Sequence, residues 1–305
     1  MSEPYSPNST LLDLTGGAGR LAVELWDNPD DHSTLILLSH GGAQTRHSWR
    51  RTAERLYSDG WTVSTFDARG HGDSGWSESG NYNFTDLADD VVDIIDQLNR
   101  VLSSAQDQPP TPRKVILVGA SMGGAAGLIA QARNPHLATA LVLVDVTPRV
   151  ELEGLERILQ FVTAAPDGFD NLEQVAAAVT AYNPTRPTPP RIEGLRKNLR
   201  TRDGRLHWHW DPKFFSGGKE GDDIDLAQQL EQAAAAITTP TLLIRGSRSD
   251  IVTDEGVNTL RRLMPHAQVS TVLGAAHMVA GDDNDQFTTE LGEFLRQHSR
   301  QEEQK

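Results

Sequence analysis

Gly119-Ala120-Ser121-Met122-Gly123 matches the pattern G-x-S-x-G, and its flanks give the match chemical meaning. Val115 to Val118 is a short, continuous apolar run rich in β-branched residues, which predicts a strand buried on both faces. Beyond Gly119 the composition turns to Ala, Gly, Leu, Ile and Met, and the periodicity becomes helical. A sharp strand-to-helix turn at this point lifts the serine out of the sheet, while glycines relieve crowding around its strained backbone. The helix N-terminus then offers N–H groups and partial positive charge to an anion forming beside the hydroxyl. Ser121 is therefore the candidate nucleophile.

A serine hydroxyl needs a general base, usually a histidine oriented by a carboxylate. Such groups gather at the carboxyl ends of strands in open α/β sheets. Two late apolar runs, Thr241–Arg245 and Val269–Leu273, predict strands, and each is followed by a candidate. Asp250 follows the first, in Gly246-Ser-Arg-Ser-Asp-Ile-Val-Thr253, and His277 follows the second, in Gly274-Ala-Ala-His277. Asp254 lies near Asp250, and Asp145, at the end of the apolar run Leu141–Val144, is a rival place for the acid. The tetrahedral intermediate needs two N–H donors. Met122, next to the nucleophile, is expected to give one, and Gly42 in the turn His40-Gly41-Gly42 the other, with His40 and Gly41 close to substrate. Trp208 and Trp210, in His207-Trp-His-Trp210, are expected to form an aromatic wall of the substrate pocket. Alternation would put His207 and His209 on one strand face, but no third metal ligand accompanies them, so neither metal nor cofactor is expected. His71, in the loop Asp67-Ala-Arg-Gly-His-Gly-Asp-Ser74, is expected to make structural hydrogen bonds.

The elements that must position these residues alternate. Strands are expected at 10–15 and 20–26 as a hairpin, then at 34–39, 61–66, 115–118 and 138–145, separated by helices near 46–58, 84–102 and 122–132. Strands then stop for some ninety residues, where helices near 152–162, 170–179, 191–201 and 224–236 are interrupted by a Pro-rich break at 184–190. Residues 1–8 read as a loose arm, and a helix from Asp285 to about Gln297 ends the fold. The expected architecture is α/β: an eight-stranded, mostly parallel sheet with helices on both faces and a helical cap inserted between strands 6 and 7. Residues 1–147 and 238–305 form the expected core and 148–237 the cap.

Taken together, the Ser121 turn, His40-Gly41-Gly42 with Trp49 beyond it, the Asp67–Ser74 loop, Asp250 and Gly274-Ala-Ala-His277 resemble the α/β-hydrolase fold superfamily, and within it the capped esterases, perhydrolases and cofactor-free haloperoxidases. The resemblance implies a triad of Ser121, Asp250 and His277 and an oxyanion hole of the Gly42 and Met122 amides. Serine at 121 departs from the aspartate of haloalkane dehalogenases and epoxide hydrolases, as do Ala43 and a single tyrosine, Tyr182, in the insertion.

The chain has 305 residues, a formal net charge of −14 and no cysteine. That charge disfavours nucleic-acid partners. The absence of cysteine excludes disulfides and thiolate chemistry. With no signal-peptide pattern and no membrane-length apolar stretch, a cytoplasmic protein acting on a small molecule away from membranes is expected. The expected activity is hydrolysis of an ester, thioester or lactone of a small, fairly apolar molecule through an acyl-enzyme on Ser121. Rival readings are a C–C bond hydrolase of ring-cleavage products and a non-catalytic ligand receptor. The sequence leaves the substrate and oligomeric state open.

Overall fold

The structure, a computed structural model, describes residues 8–31, 33–104, 113–149, 151–182, 192–216, 222–276 and 285–299. Most of the expected N-terminal arm, the Pro-rich break at 184–190 and His277 lie outside the described residues.

Eight strands form one sheet in the order β1-β2-β4-β3-β5-β6-β9-β10. They are β1 (Thr10–Gly16), β2 (Gly19–Trp26), β3 (Thr34–Ser39), β4 (Thr62–Phe66), β5 (Lys114–Ala120), β6 (Ala140–Val144), β9 (Thr241–Gly246) and β10 (Gln268–Val272). The β1–β2 hairpin is antiparallel, β2 runs antiparallel to β4, and every pair from β4 to β10 is parallel. The chain reverses its strand order around β3 and β5, so the loops after these two strands face each other across the carboxyl edge.

The apolar runs explain how the sheet is covered. Side chains alternate between faces along a strand, so a run without polar interruption must be buried on both. Leu35, Leu37, Val115, Leu117, Leu141 and Leu143 pack with α2 (Phe84–Ser104), α3 (Met122–Arg133), α8 (Asp222–Ala236) and α9 (Asp254–Leu263). Their neighbours Ile36, Leu38, Ile116, Val118, Val142 and Val144 point the other way, against α1 (Arg50–Ser58) and α10 (Asp285–Ser299). Helix α3 is buried from Met122 to Gln131, which its small residues permit.

Between β6 and β9 the chain builds a separate layer. It contains α4 (Leu152–Thr163), α5 (Leu172–Tyr182), the short α6 (Ile192–Leu195), a hairpin of β7 (Leu199–Arg202) and β8 (Arg205–Trp208), and α7 (Lys213–Ser216), before α8 returns to the sheet. The third helix expected near 191–201 is therefore shortened: after α6 and a 3-10 turn at Arg196–Asn198 the chain straightens into β7, which pairs with β8. The reason is local. Asp203-Gly204 turns with both residues at positive φ, 52° and 77°, and closes a hairpin that the amphipathic reading of the basic run passed over. Phe169, Val175 and Leu195 form the insertion's own small core.

Candidate active site

Ser121 stands where β5 meets α3, at φ 45° and ψ −114°, a conformation costly for a residue with a Cβ. The turn is held by crowding that only glycine permits. A Cβ on Gly119 would lie 2.5 Å from the Gly123 carbonyl oxygen, and one on Gly123 would lie 2.6 Å from the His40 carbonyl oxygen. The Ser121 N–H donates to the Val144 carbonyl of the adjacent strand at 2.9 Å, and Ser121 C=O accepts the first helical bond, from Ala125. The side chain is half-buried at the carboxyl edge of the sheet.

The loop after β3 passes directly alongside. A Cβ on Gly41 would lie 3.5 Å from Ser121 Cβ, and one on Gly42 would lie 4.0 Å from Met122 Sδ. Gln44 N–H closes a tight turn on the Gly41 carbonyl at 3.2 Å, and Ala43 is held at φ 59°. Neither the Gly42 nor the Met122 N–H has a hydrogen-bond acceptor among the described residues.

The two candidate acids occupy different settings. Asp145 is buried, 1% exposed, at the end of β6, with its backbone at φ 49°. Its N–H donates to the Ile244 carbonyl, its Oδ1 accepts from the Gly246 N–H at 2.9 Å, and its Oδ2 accepts from the Ser249 hydroxyl at 2.5 Å. These bonds fix the carboxylate in place. Asp250 is 30% exposed and its Oδ2 pairs with the Arg157 guanidinium of α4. Helix α4 packs closely there, since a Cβ on Gly154 would lie 2.4 Å from the Asp250 carbonyl oxygen. Asp254 pairs with Arg245 at the surface.

His40, expected beside substrate, is a scaffold residue instead. It is wholly buried, with Nδ1–H donating to the Gly41 carbonyl at 2.8 Å and Nε2 accepting from the Ala68 N–H at 3.0 Å. Both ring nitrogens are thus used, and burial lowers its pKa. His71 makes the structural bonds expected of it: Nδ1–H donates to the Arg69 carbonyl at 3.1 Å and Nε2 accepts from the Ala43 N–H at 3.2 Å. Burial holds it neutral, its pKa lowered to about 3. The floor beneath is ionic. Asp67 Oδ1 accepts from the Arg46 N–H at 2.7 Å, Asp67 also pairs with the Arg46 guanidinium, and Arg69 forms a two-pronged pair with Asp90 at 2.6 and 2.7 Å.

From the insertion, Trp208 stacks on Trp210 with ring centroids 5.0 Å apart, and Trp210 meets Phe215 edge-on at 5.8 Å. Phe215 reaches the loop after β3, its ring 3.8 Å from where a Gly42 Cβ would stand. Trp210 is buried among these rings and Trp208 is half-buried. His207 and His209 do not share a site. Strand β8 ends at Trp208, His209 turns inward to accept from the Gly72 N–H at 2.7 Å, and His207 lies near the surface. Among the described residues no three His, Cys, Asp or Glu side chains gather to hold a metal ion.

Sequence position did not reveal that Phe215 and His209 lie beside the loops after β3 and β4. Asp145 was legible as a rival acid, because its apolar run ends at the same sheet edge as the run before Ser121.

Residues 34–283 match the family model described as the alpha/beta hydrolase fold. Over 245 residues the chain is 30% identical to 2-(acetamidomethylene)succinate hydrolase of Mesorhizobium japonicum, covering 80% of this chain and 82% of that one. It is 28% identical over 274 residues to an esterase of Mycobacterium tuberculosis, covering 87% and 83% of the two chains. The crystal structure of E-2-(acetamidomethylene)succinate hydrolase superposes with a TM-score of 0.77 at 25% identity, over 94% of this chain and 99% of that one. With the model spanning most of the sheet and the insertion, this chain belongs to the α/β-hydrolase fold family.

Proposed function

We propose that the protein is a serine hydrolase cleaving an ester, thioester or lactone of a small, fairly apolar molecule. The observation that carries this reading is the strained Ser121 beside the amides of Gly42 and Met122, which have no acceptor among the described residues. In the proposed reaction Ser121 Oγ bonds to the substrate carbonyl carbon as its proton passes to His277. The two amides donate to the resulting oxyanion. Collapse breaks the carbon–oxygen (or carbon–sulfur) bond, and His277 returns the proton to the departing alcohol or thiol. A water molecule, deprotonated by His277, then attacks the acyl-enzyme, releasing the acid and restoring Ser121.

For the acid that orients His277 we favour Asp145 over Asp250. A triad acid serves best when buried and fixed. Asp145 meets this description, whereas Asp250 is paired with Arg157. The position of Ser249, which donates to Asp145, adds to the same reading. Residues 148–237 would act as a cap, with Trp208, Trp210 and Phe215 lending an aromatic wall. Relatives that include esterases and lipases support ester chemistry.

The test is incubation of the folded protein with a fluorophosphonate, together with a screen of p-nitrophenyl esters and vinylogous diketones. Adduct on Ser121 and ester turnover abolished by Ser121→Ala are expected. Rapid diketone turnover with negligible ester turnover would favour the C–C hydrolase instead, and absence of adduct would remove the serine mechanism.

A further inference from the structure

Three buried imidazoles line up behind the loop after β3. The ring centroids of His40 and His71 are 5.3 Å apart, and those of His71 and His209 are 5.8 Å apart. His40 comes from the loop after β3, His71 from the loop after β4 and His209 from the insertion. Each accepts a backbone N–H on one nitrogen: Ala68 on His40, Ala43 on His71 and Gly72 on His209. Such acceptance requires the neutral ring. Phe214 packs edge-on against His71 at 4.5 Å.

One of these bonds holds Ala43. Its positive φ of 59° is unfavourable for a residue with a side chain and persists only where the surroundings impose it. Its N–H is tied to His71 Nε2. The buried His209 Nε2 lies toward its carbonyl without forming a full hydrogen bond among the described residues. The peptide unit between Gly42 and Ala43 is thereby set from one side, and with it the orientation of Gly42. His209 is itself fixed to the loop after β4, where Asp211 N–H donates to the Gly70 carbonyl at 2.8 Å and Tyr82 donates to Asp211 at 2.6 Å.

We propose that His71 and His209 are positioning residues: they hold loop 41–45 in the conformation that aims the Gly42 amide at the oxyanion, so that seating of the insertion and assembly of the oxyanion hole are one event. This rests on the serine-hydrolase reading for its catalytic half. Burial lowers the pKa of both histidines, in keeping with neutral rings that accept from the backbone.

The test uses the full chain with His71→Leu, His71→Asn, His71→Gln and His209→Leu. Two readouts are taken: hydrogen exchange of the segment 41–45, and kcat and KM on a p-nitrophenyl ester beside the rate of fluorophosphonate labelling. His71→Leu and His71→Asn, which place no acceptor at the Nε2 position, should speed exchange at 41–45 and lower kcat by about 100-fold, the scale of losing one oxyanion donor, with KM within about threefold. His71→Gln, whose amide oxygen reaches that position, should restore most of both. His209→Leu should shift both in the same direction by less. Unchanged exchange at 41–45 in folded His71→Asn, or faster exchange with wild-type kcat, would overturn the proposal. If His71→Leu does not fold, the His71→Asn and His71→Gln pair decides. Wild-type protein without a Ser121 adduct would overturn the hydrolase reading and the catalytic half with it, while the exchange readout still decides whether the histidines hold the loop.

Discussion

At the scale of single residues, the proposed mechanism turns on which of two aspartates serves as the triad acid. Asp145 accepts from Gly246 and Ser249 in a dry setting; if it orients His277 as proposed, loss of its charge would misorient that histidine and leave its cation unsupported. Asp145→Asn is expected to lower kcat by about 10³-fold or more with little change in KM. Asp250→Asn breaks the pair with Arg157 on a partly exposed surface, where such pairs contribute at most about 1 kcal/mol. Its kcat should stay within about threefold of wild type. Steady-state kinetics of the two variants on one ester substrate check the assignment, and the opposite ranking would return the acid to Asp250.

At the scale of elements, the turn between β5 and α3 depends on the glycines around the serine more than on the helix that follows. Gly123 sits against the carbonyl oxygens of Ser39 and His40, at 2.7 and 2.6 Å from where a Cβ would stand, and backbone atoms cannot rotate away as a side chain can. Gly123→Ala is expected to cost about 2–3 kcal/mol, the range for overpacking, and to displace the Ser121 turn from the loop after β3. Denaturant unfolding measures the first effect and the fluorophosphonate labelling rate the second. Gly154→Ala makes the parallel case in the insertion, since its Cβ would meet the Asp250 carbonyl oxygen at 2.4 Å. There the expected result is faster hydrogen exchange in α4 with the sheet unaffected, because α4 meets the core through the loop after β9.

For the whole molecule, the buried histidines link stability to pH. An unfolded chain protonates His71 as pH falls through about 6.5, whereas the folded chain resists until about 3. Between these values the unfolded state binds more protons, so stability is fully present above 6.5 and declines as pH falls. His40 and His209, also lowered by burial, act in the same sense. Urea unfolding of wild type and His71→Gln between pH 6 and pH 4 should differ in slope by about 1 kcal/mol per pH unit, with wild type the steeper. Equal slopes would show that His71 is not held neutral. No helix among the described residues is long and apolar enough to cross a membrane.

Much of this was legible in the amino-acid order because it rests on local rules. Uninterrupted apolar runs such as Val115–Val118 and Leu141–Val144 can only be satisfied as strands covered on both faces, and Gly-x-Ser-x-Gly at the end of one can only be a tight turn. Those rules determined the sheet, its alternation with helices and the place of Ser121. The β7–β8 hairpin was not legible, because a short basic run suits a helix as well as a strand until Asp203-Gly204 turns it back. Nor was the setting of either aspartate. Both follow sheet strands, and only packing buries one among donors and gives the other to an arginine of α4. His40, His71 and His209 lie up to 169 positions apart in sequence, yet adjacent ring centroids come within 6 Å. Sequence placed Ser121 at the strand-to-helix turn through backbone geometry, which is local. Tertiary structure decided which polar side chains are dry, neutral and in reach of it, because burial and long-range hydrogen bonding exist only once the sheet and the insertion have met.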